Sequence, residues 1–209
     1  MEKAEDVLIL EKPKFFWMNP PDRQLPRLIG LAGPHGSGKD TLADILVRHH
    51  AYTFVSISDL LREEVKKRGW SLERDSLLSI SSEWRARFGR GVLVDRAYQQ
   101  AKGARRVVIA SLRNPGEARL VHELGGIVVW IDASPQIRYR RIVNRGRGAE
   151  DFKSFEAFLA EETREMRPLG GVNGSHMLAV KKQADVVLDN SGADLKAFRR
   201  LAERALAAG

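Results

Sequence analysis

The segment Gly33-Pro34-His35-Gly36-Ser37-Gly38-Lys39-Asp40-Thr41 constrains this chain more than any other. It follows Leu28-Ile29-Gly30-Leu31-Ala32, an apolar run of buried-strand type. It precedes a helix whose Leu42, Ile45, Leu46 and His49 recur at i, i+3, i+4 and i+7. His49 is expected at the edge of that buried face and is given no chemistry. The glycines let successive backbone N–H groups turn inward and form a nest for phosphate oxygens. The helix adds its positive N-terminal end, and Lys39 reaches the β- and γ-phosphates. A bare G-x-x-x-x-G-K match arises by chance, but a match between a buried strand and an amphipathic helix is the context the mechanism needs.

The rest of the chain repeats the strand–helix alternation. Apolar runs at Tyr52–Ser56, Arg106–Ala110, Ile127–Ile131 and Ala184–Leu188 bring the expected strands to five. Ser58 is expected to cap a helix running to about Arg68, where Lys66, Lys67 and Arg68 suit the negative end and Gly69 stops it. A second helix places Leu77, Ile80, Trp84 and Phe88 on one stripe and ends at Gly89. A third places Phe155, Phe158, Leu159 and Met166 on one side, and Leu195–Ala208 closes the chain as an amphipathic helix. Strands alternating with helices imply an α/β fold with a five-stranded parallel sheet flanked by helices. Residues 1–26, broken by Pro13, Pro20, Pro21 and Pro26 and carrying Phe15, Phe16 and Trp17, read as an extension ahead of one domain at 27–209.

Composition narrows the classes. Of 209 residues, 43% are hydrophobic and 30% charged, which excludes disordered and fibrous architectures. There is no cysteine, so a disulfide framework, a thiolate metal site and a thiol nucleophile are excluded. Lys and Arg number 35 against 27 Asp and Glu, a net charge of +8 that calls for an anionic partner without choosing one. Met1 to Asp6 is acidic and only Val7-Leu8-Ile9-Leu10 follows as an apolar run, so neither a secretory leader nor a membrane segment is expected and a cytoplasmic protein is.

The hydroxyl of the loop falls at Thr41, one residue later than in the general motif, because Asp40 follows Lys39. The G-K-x-T order resembles nucleoside monophosphate kinases, which read G-K-G-T, and its G-K-D-T form is similar to phage-type deoxynucleoside monophosphate kinases. The resemblance spans about residues 27–208 and implies a P-loop NTPase fold with ATP and Mg²⁺ as cofactors. Gly33, His35, Gly36, Ser37, Gly38, Lys39, Asp40 and Thr41 would form the donor site. Thr41 would meet the α-phosphate, and the metal would be held largely through water. Asp40 either orients such water or is an acidic first-turn residue favoured by the helix dipole.

Val55-Ser56-Ile57-Ser58-Asp59-Leu60-Leu61-Arg62 resembles the I-S-x-G-D-x-L-R stretch of adenylate-kinase-like enzymes. By that resemblance Arg62 clamps the acceptor's phosphate, Ser58 lies in the acceptor site and Asp59 lies beside the reacting groups, within an acceptor-binding subdomain at about 58–102. A planar guanidinium suits the clamp because it holds two phosphate oxygens at once. Ile109 to Glu117 is similar to I-D-G-x-R-N-P-x-E, which makes Arg113 a second phosphate-binding arginine. The expected aspartate is Ala110 here; Asp59 would take the acidic role, and Ser111 would offer only a weak water contact. Asp132, although it ends an apolar strand, is read as opening the Asp132-Ala133-Ser134-Pro135 loop and not as a metal acid.

Arg138, Arg140, Arg141, Arg145 and Arg147 fall within ten residues. On a helix Arg138, Arg141 and Arg145 share a face. The spacing resembles the lid arginines of the same kinases, which neutralise the transferring phosphoryl group, with Arg141 and Arg145 catalytic and Arg138 cofactor-binding. Gly146 and Gly148 would hinge a lid at about 146–176, with Asp151 to Arg167 as its helix. Ala184 to Gly192 is similar to the A-D-x-x-I-x-N-x-G stretch of dephospho-CoA kinases, which makes Asn190, Ser191 and Gly192 candidate contacts to the adenine.

These features together imply transfer of the γ-phosphoryl group of ATP to a nucleoside monophosphate or similar small-molecule nucleotide acceptor, with no nucleic-acid or membrane partner. A dephospho-CoA kinase acting on a ribose hydroxyl, or a non-catalytic nucleotide-binding regulator suggested by Ala110, are the alternatives. The absence of an N-K-x-D base motif argues against a GTPase switch.

Overall fold

In the computed structural model, residues 25–146, 154–168, 171–192 and 194–208 are described. Most of the expected N-terminal extension, together with Arg147, Gly148 and Asp151, lies outside them. Five strands, β1 (Leu28–Ala32), β2 (Thr53–Ser56), β3 (Val107–Ala110), β4 (Ile127–Asp132) and β5 (Val186–Asp189), form one sheet in the order β2-β3-β1-β4-β5. All neighbours pair in parallel. The register aligns Leu31 with Ala110 and Val129, Ser56 with Ala110, and Asp132 with Asp189, so every strand ends at one edge. The loops leaving that edge hold the candidate site, where open parallel sheets bind ligands.

Alternate residues of the buried strands point to opposite faces. On one face Ile29, Leu31, Val108, Val129 and Ile131 pack with Leu42 and Leu46 of α1 (Lys39–His50) and with Phe198, Ala202 and Leu206 of α9 (Leu195–Ala208). On the other, Leu28, Val107, Ile109, Val128 and Trp130 meet α2 (Ile57–Lys67), α3 (Arg74–Phe88), α4 (Val92–Gln100), α5 (Pro115–Glu123) and α8 (Met177–Lys181). Each fully buried Leu or Ile contributes roughly 1.5–3 kcal/mol. Beyond the sheet edge, α6 (Pro135–Arg145) and α7 (Phe155–Met166) pack Tyr139 edge-on against Phe155 and at a tilt against Phe158, with centroids 5.3 and 5.7 Å apart.

Several local expectations are corrected. The cap of α2 is Ser56, whose side chain accepts from the Asp59 N–H, and not Ser58, which lies inside the first turn. β2 runs directly into the helix, so the last strand residue is the one left to cap it. His49 is exposed, its Nε2 lying 3.1 Å from Arg199 Nη1 of α9 at the surface. On α3, Phe88 is 50% exposed, while Ser81 and Arg85 are buried beside Ile80 and Trp84. The stripe carries an ionic partner for the core in addition to apolar side chains. Phe155, Phe158, Leu159 and Met166 share a half-buried side of α7, which contains no fully buried residue.

Candidate active site

Backbone geometry builds the phosphate loop. Gly33 has φ 142, and a Cβ there would sit 2.0 Å from the Ile131 carbonyl oxygen. Gly38 has φ 102, and its Cβ would sit 2.1 Å from the Asn190 amide nitrogen. The loop is therefore wedged between the ends of β4 and β5, a space that only glycine fits. Asn190 is buried and donates its Nδ2 to the Ser37 carbonyl at 2.9 Å, tying the loop to the end of β5. Gly36 packs beside the Arg138 carbonyl of α6.

Lys39 Nζ donates to the carbonyls of Gly33 and Pro34, both at 2.8 Å, so its charge stands at the mouth of the loop. Burial, and then the neighbouring Arg113, push its pKa down to about 7. The Ser37 hydroxyl is fully buried without a hydrogen-bond partner. Loss of solvation, followed by the charges of Lys39, Arg145, Arg113 and Arg74, pushes the His35 imidazole down to about 4. Its Nε2 lies 3.0 Å from Arg145 Nη2. A neutral ring among four cations marks the region as one of positive potential.

A cavity of about 230 Å³ adjoins the loop at His35. Ser58, Arg62, Ser111 and Arg113 line it together with Arg74 and Arg85, and Leu61, Leu72, Leu77 and Phe158 supply an apolar wall. Arg62 is half exposed and pairs with Asp59 at 2.6 Å. Asp59 itself is exposed and is not among the lining residues, so it supports Arg62 from outside the cavity.

The Arg113-Asn114-Pro115-Gly116-Glu117 run acquires a physical explanation. Asn114 caps α5 by accepting from the Gly116 N–H, and Pro115 opens the helix. Glu117 Oε2 accepts from the N–H groups of Arg113 and Asn114 at 2.7 and 3.0 Å. Its Oε1 accepts from Arg85 Nε and Nη2 at 2.9 and 2.7 Å, in a pair whose side chains are 2% and 0% exposed. Arg85 Nη1 reaches the Asn173 carbonyl, and Asn114 Nδ2 reaches those of Val172 and Gly174. This buried network fixes the backbone from which Arg113 enters the cavity. Burial and the adjacent Arg74 push the Arg113 guanidinium down to about 10, still charged at neutral pH. Ser111 has φ 76, an uncommon conformation for a side chain beyond glycine, at the point where the chain leaves β3.

The α6 arginines take separate positions. Arg138 is buried, donates to the Ala133 carbonyl at 2.6 Å and pairs with Glu162, linking α6 to α7. Arg141 donates to the carbonyls of Asn190 and Gly192 at 2.8 and 3.2 Å, and Arg145 lies against His35. Arg140 is exposed. Ser191 Oγ accepts from the Ser134 N–H and donates to Asp189, so Asn190 and Ser191 hold the loops at this edge together. Asp132 accepts from the Ala133 N–H and pairs with Lys181 at 3.2 Å, an arrangement that accounts for its charge structurally. Among the described residues no group of three His, Asp or Glu side chains forms a metal cage. Asp40 is exposed in the first turn of α1, and Thr41 is half-buried beside it.

The geometry thus brings His35, Lys39, Ser58, Arg62, Arg113 and Arg145 around one opening. Sequence reasoning missed Arg74, Arg85 and Glu117. A capping-box reading of Asn114 and Glu117 was open to it. Arg74 had a quieter signal: a cation in the first turn of a helix opposes the dipole.

A family model described as an AAA domain matches residues 29–170. The chain belongs to this P-loop, kinase-like family. A UPF0200 protein of Methanopyrus kandleri is 31% identical over 189 residues, covering 87% of this chain and 91% of the relative. Another, from Thermococcus kodakarensis, is 28% identical over 173 residues, covering 79% and 89%. Among solved structures, a shikimate kinase from Bacteroides thetaiotaomicron superposes with a TM-score of 0.55 at 14% identity, covering 86% of this chain and 97% of that one. A gluconokinase from Sinorhizobium meliloti 1021 gives 0.52 at 19%, covering 88% and 94%. At such identities these likenesses show the fold.

Proposed function

We propose that the protein transfers the γ-phosphoryl group of ATP to a phosphate of a nucleoside monophosphate or similar nucleotide. The observation that carries this is the cavity beside the phosphate loop, which presents two guanidinium groups, Arg62 and Arg113, suited to hold an acceptor's phosphate. A hydroxyl acceptor must lose a proton as it attacks and needs a base within reach. A phosphate acceptor is already anionic and needs only to be positioned.

The buried Ser37 hydroxyl, the glycine cradle and Lys39 fit the β- and γ-phosphates of ATP. Thr41, and Asp40 through water, would hold Mg²⁺ together with phosphate oxygens, a hard-oxygen set suited to that ion, which would neutralise phosphate charge. An acceptor phosphate oxygen, held by Arg62 and Arg113, attacks the γ-phosphorus as the bond to the bridging oxygen of ADP breaks. Lys39, Arg141 and Arg145 stabilise the charge spread over the transferring group. The α2–α4 block would form the acceptor subdomain and α7 the lid, closing over the reaction to exclude water.

A coupled phosphotransfer assay with each nucleoside and deoxynucleoside monophosphate, and with dephospho-CoA, tests this reading. Turnover with a monophosphate and none with dephospho-CoA is expected; the reverse would overturn the proposal. Ala110, buried where the resemblance to these kinases implies an aspartate, favours a second reading as a nucleotide-binding regulator. ATP binding without transfer to any acceptor would select it.

A further inference from the structure

Two kinds of arginine line the cavity. Arg85 is sealed against Glu117, with both side chains essentially inaccessible. Arg74 is 37% exposed and pairs with Glu161 and Glu165 of α7, whose side chains are 32% and 12% exposed; of the two, Glu161 lines the cavity. Glu165 also approaches Arg113 at 3.5 Å. Glu161 and Glu165 are four residues apart on one helix face, so both reach the same guanidinium.

Arg74 is the first residue of α3, where the positive helix end disfavours a cation. Its position is therefore set by what it faces and not by the helix that carries it. It contributes, with Lys39, Arg113 and Arg145, to the positive surroundings of His35, so it belongs to the same field as the phosphate loop. The α7 carboxylates lie where an anionic ligand between Arg74 and Arg113 would bind.

We propose that Arg74 is a third acceptor-binding arginine, and that Glu161 and Glu165 are built-in stand-ins for the acceptor's anion, displaced when it binds. The proposal rests on the acceptor-site reading above and deepens it. The glutamates satisfy Arg74 and Arg113 in the free protein and set a threshold that weak anions fail to cross. An acceptor phosphate, which concentrates on one group about the charge of the two carboxylates and offers three oxygens, exchanges for them and frees α7 to move. A sealed pair such as Arg85–Glu117 serves no such exchange because its removal from contact would strand a buried charge.

Inorganic phosphate is the probe, titrated calorimetrically into the full chain. The Glu161→Gln, Glu165→Gln double variant should bind phosphate about ten-fold more tightly, the worth of one charge-assisted contact. Adding Arg74→Ala should abolish that gain, and adding Arg74→Lys should preserve part of it. The same pattern on a Lys39→Ala background would assign the anion to the cavity and not to the phosphate loop. Glu165→Gln alone should give about a three-fold gain and serves if the double variant does not fold. Weaker or unchanged phosphate binding in the glutamine variants, or none in any variant, would overturn the exchange and leave the pairs as a latch. ATP binding, measured in parallel, separates the outcomes: its absence sinks the kinase reading while leaving the exchange result standing.

Discussion

On the phosphate-loop side, position is set by backbone: Gly33 and Gly38 are wedged against the ends of β4 and β5, and Asn190 holds Ser37 by its carbonyl. On the cavity side it is set by ion pairs, some sealed, as Arg85–Glu117, and some open to solvent, as Arg62–Asp59. The difference matches the tasks. On the proposed function, a triphosphate is common to every donor and would be held by a fixed nest of N–H groups. An acceptor must enter, be discriminated and leave, which open side-chain pairs permit at little cost because exposed pairs contribute only about 0–1 kcal/mol.

Breaking each half separately sharpens the contrast. Lys39→Ala should lower phosphotransfer about 10³-fold or more with the fold retained; turnover within ten-fold of wild type would remove the loop from the donor site. Glu117→Gln strips the full charge partner from buried Arg85 and should destabilise the protein by about 3–5 kcal/mol. In a chain of this size that is a drop of roughly 10 °C in Tm, read by thermal melting. An unchanged Tm would mean that the pair is not the foundation of the Arg113 backbone. Arg62→Ala, at a half-exposed pair, should leave Tm within a degree or two and raise the acceptor KM about ten-fold with kcat little changed. An unchanged KM would take Arg62 out of the site. Ser111→Gly relieves a positive φ and should stabilise by about 1 kcal/mol, seen as a higher denaturant midpoint. A loss of stability would show that the Ser111 side chain contributes more than its backbone strain takes away.

The gentlest probe is pH. Lys39 is held down to about 7, so at pH 8 it is mostly neutral in the free protein. An anion on the loop raises that pKa, and nucleotide binding at pH 8 should take up a fraction of a proton. Binding heats in buffers of different ionisation enthalpy measure it. The sign also fixes the free protein's stability: unfolded lysine carries more protons between pH 7 and its ordinary 10.5, so this group's contribution rises with pH across that window. Zero uptake would mean that Lys39 is already charged.

The donor side was legible in the sequence because its determinants are local. Nine consecutive residues specify the loop, and the strand before it and the helix after it announce themselves by periodicity. The cavity side was legible only in part. Arg62 and Arg113 follow strand ends and could be placed by motif. Arg74 and Arg85 sit on α3, far from the loop in sequence, and an arginine on a helix reads as solvated surface by default. Asn190 shows the limit from the other direction: the apolar run before it places it after β5, but its amide faces the phosphate loop because β5 and β4 pair at the sheet edge.

The sequence by itself therefore determined the α/β alternation, the parallel sheet and the phosphate nest, since these follow from patterns a few residues long. Only the tertiary structure decided which arginines are sealed and which are open to solvent. That depends on burial and on partners such as Glu117, Glu161 and Glu165, lying tens of residues away and brought into reach by the packing of α3, α5 and α7.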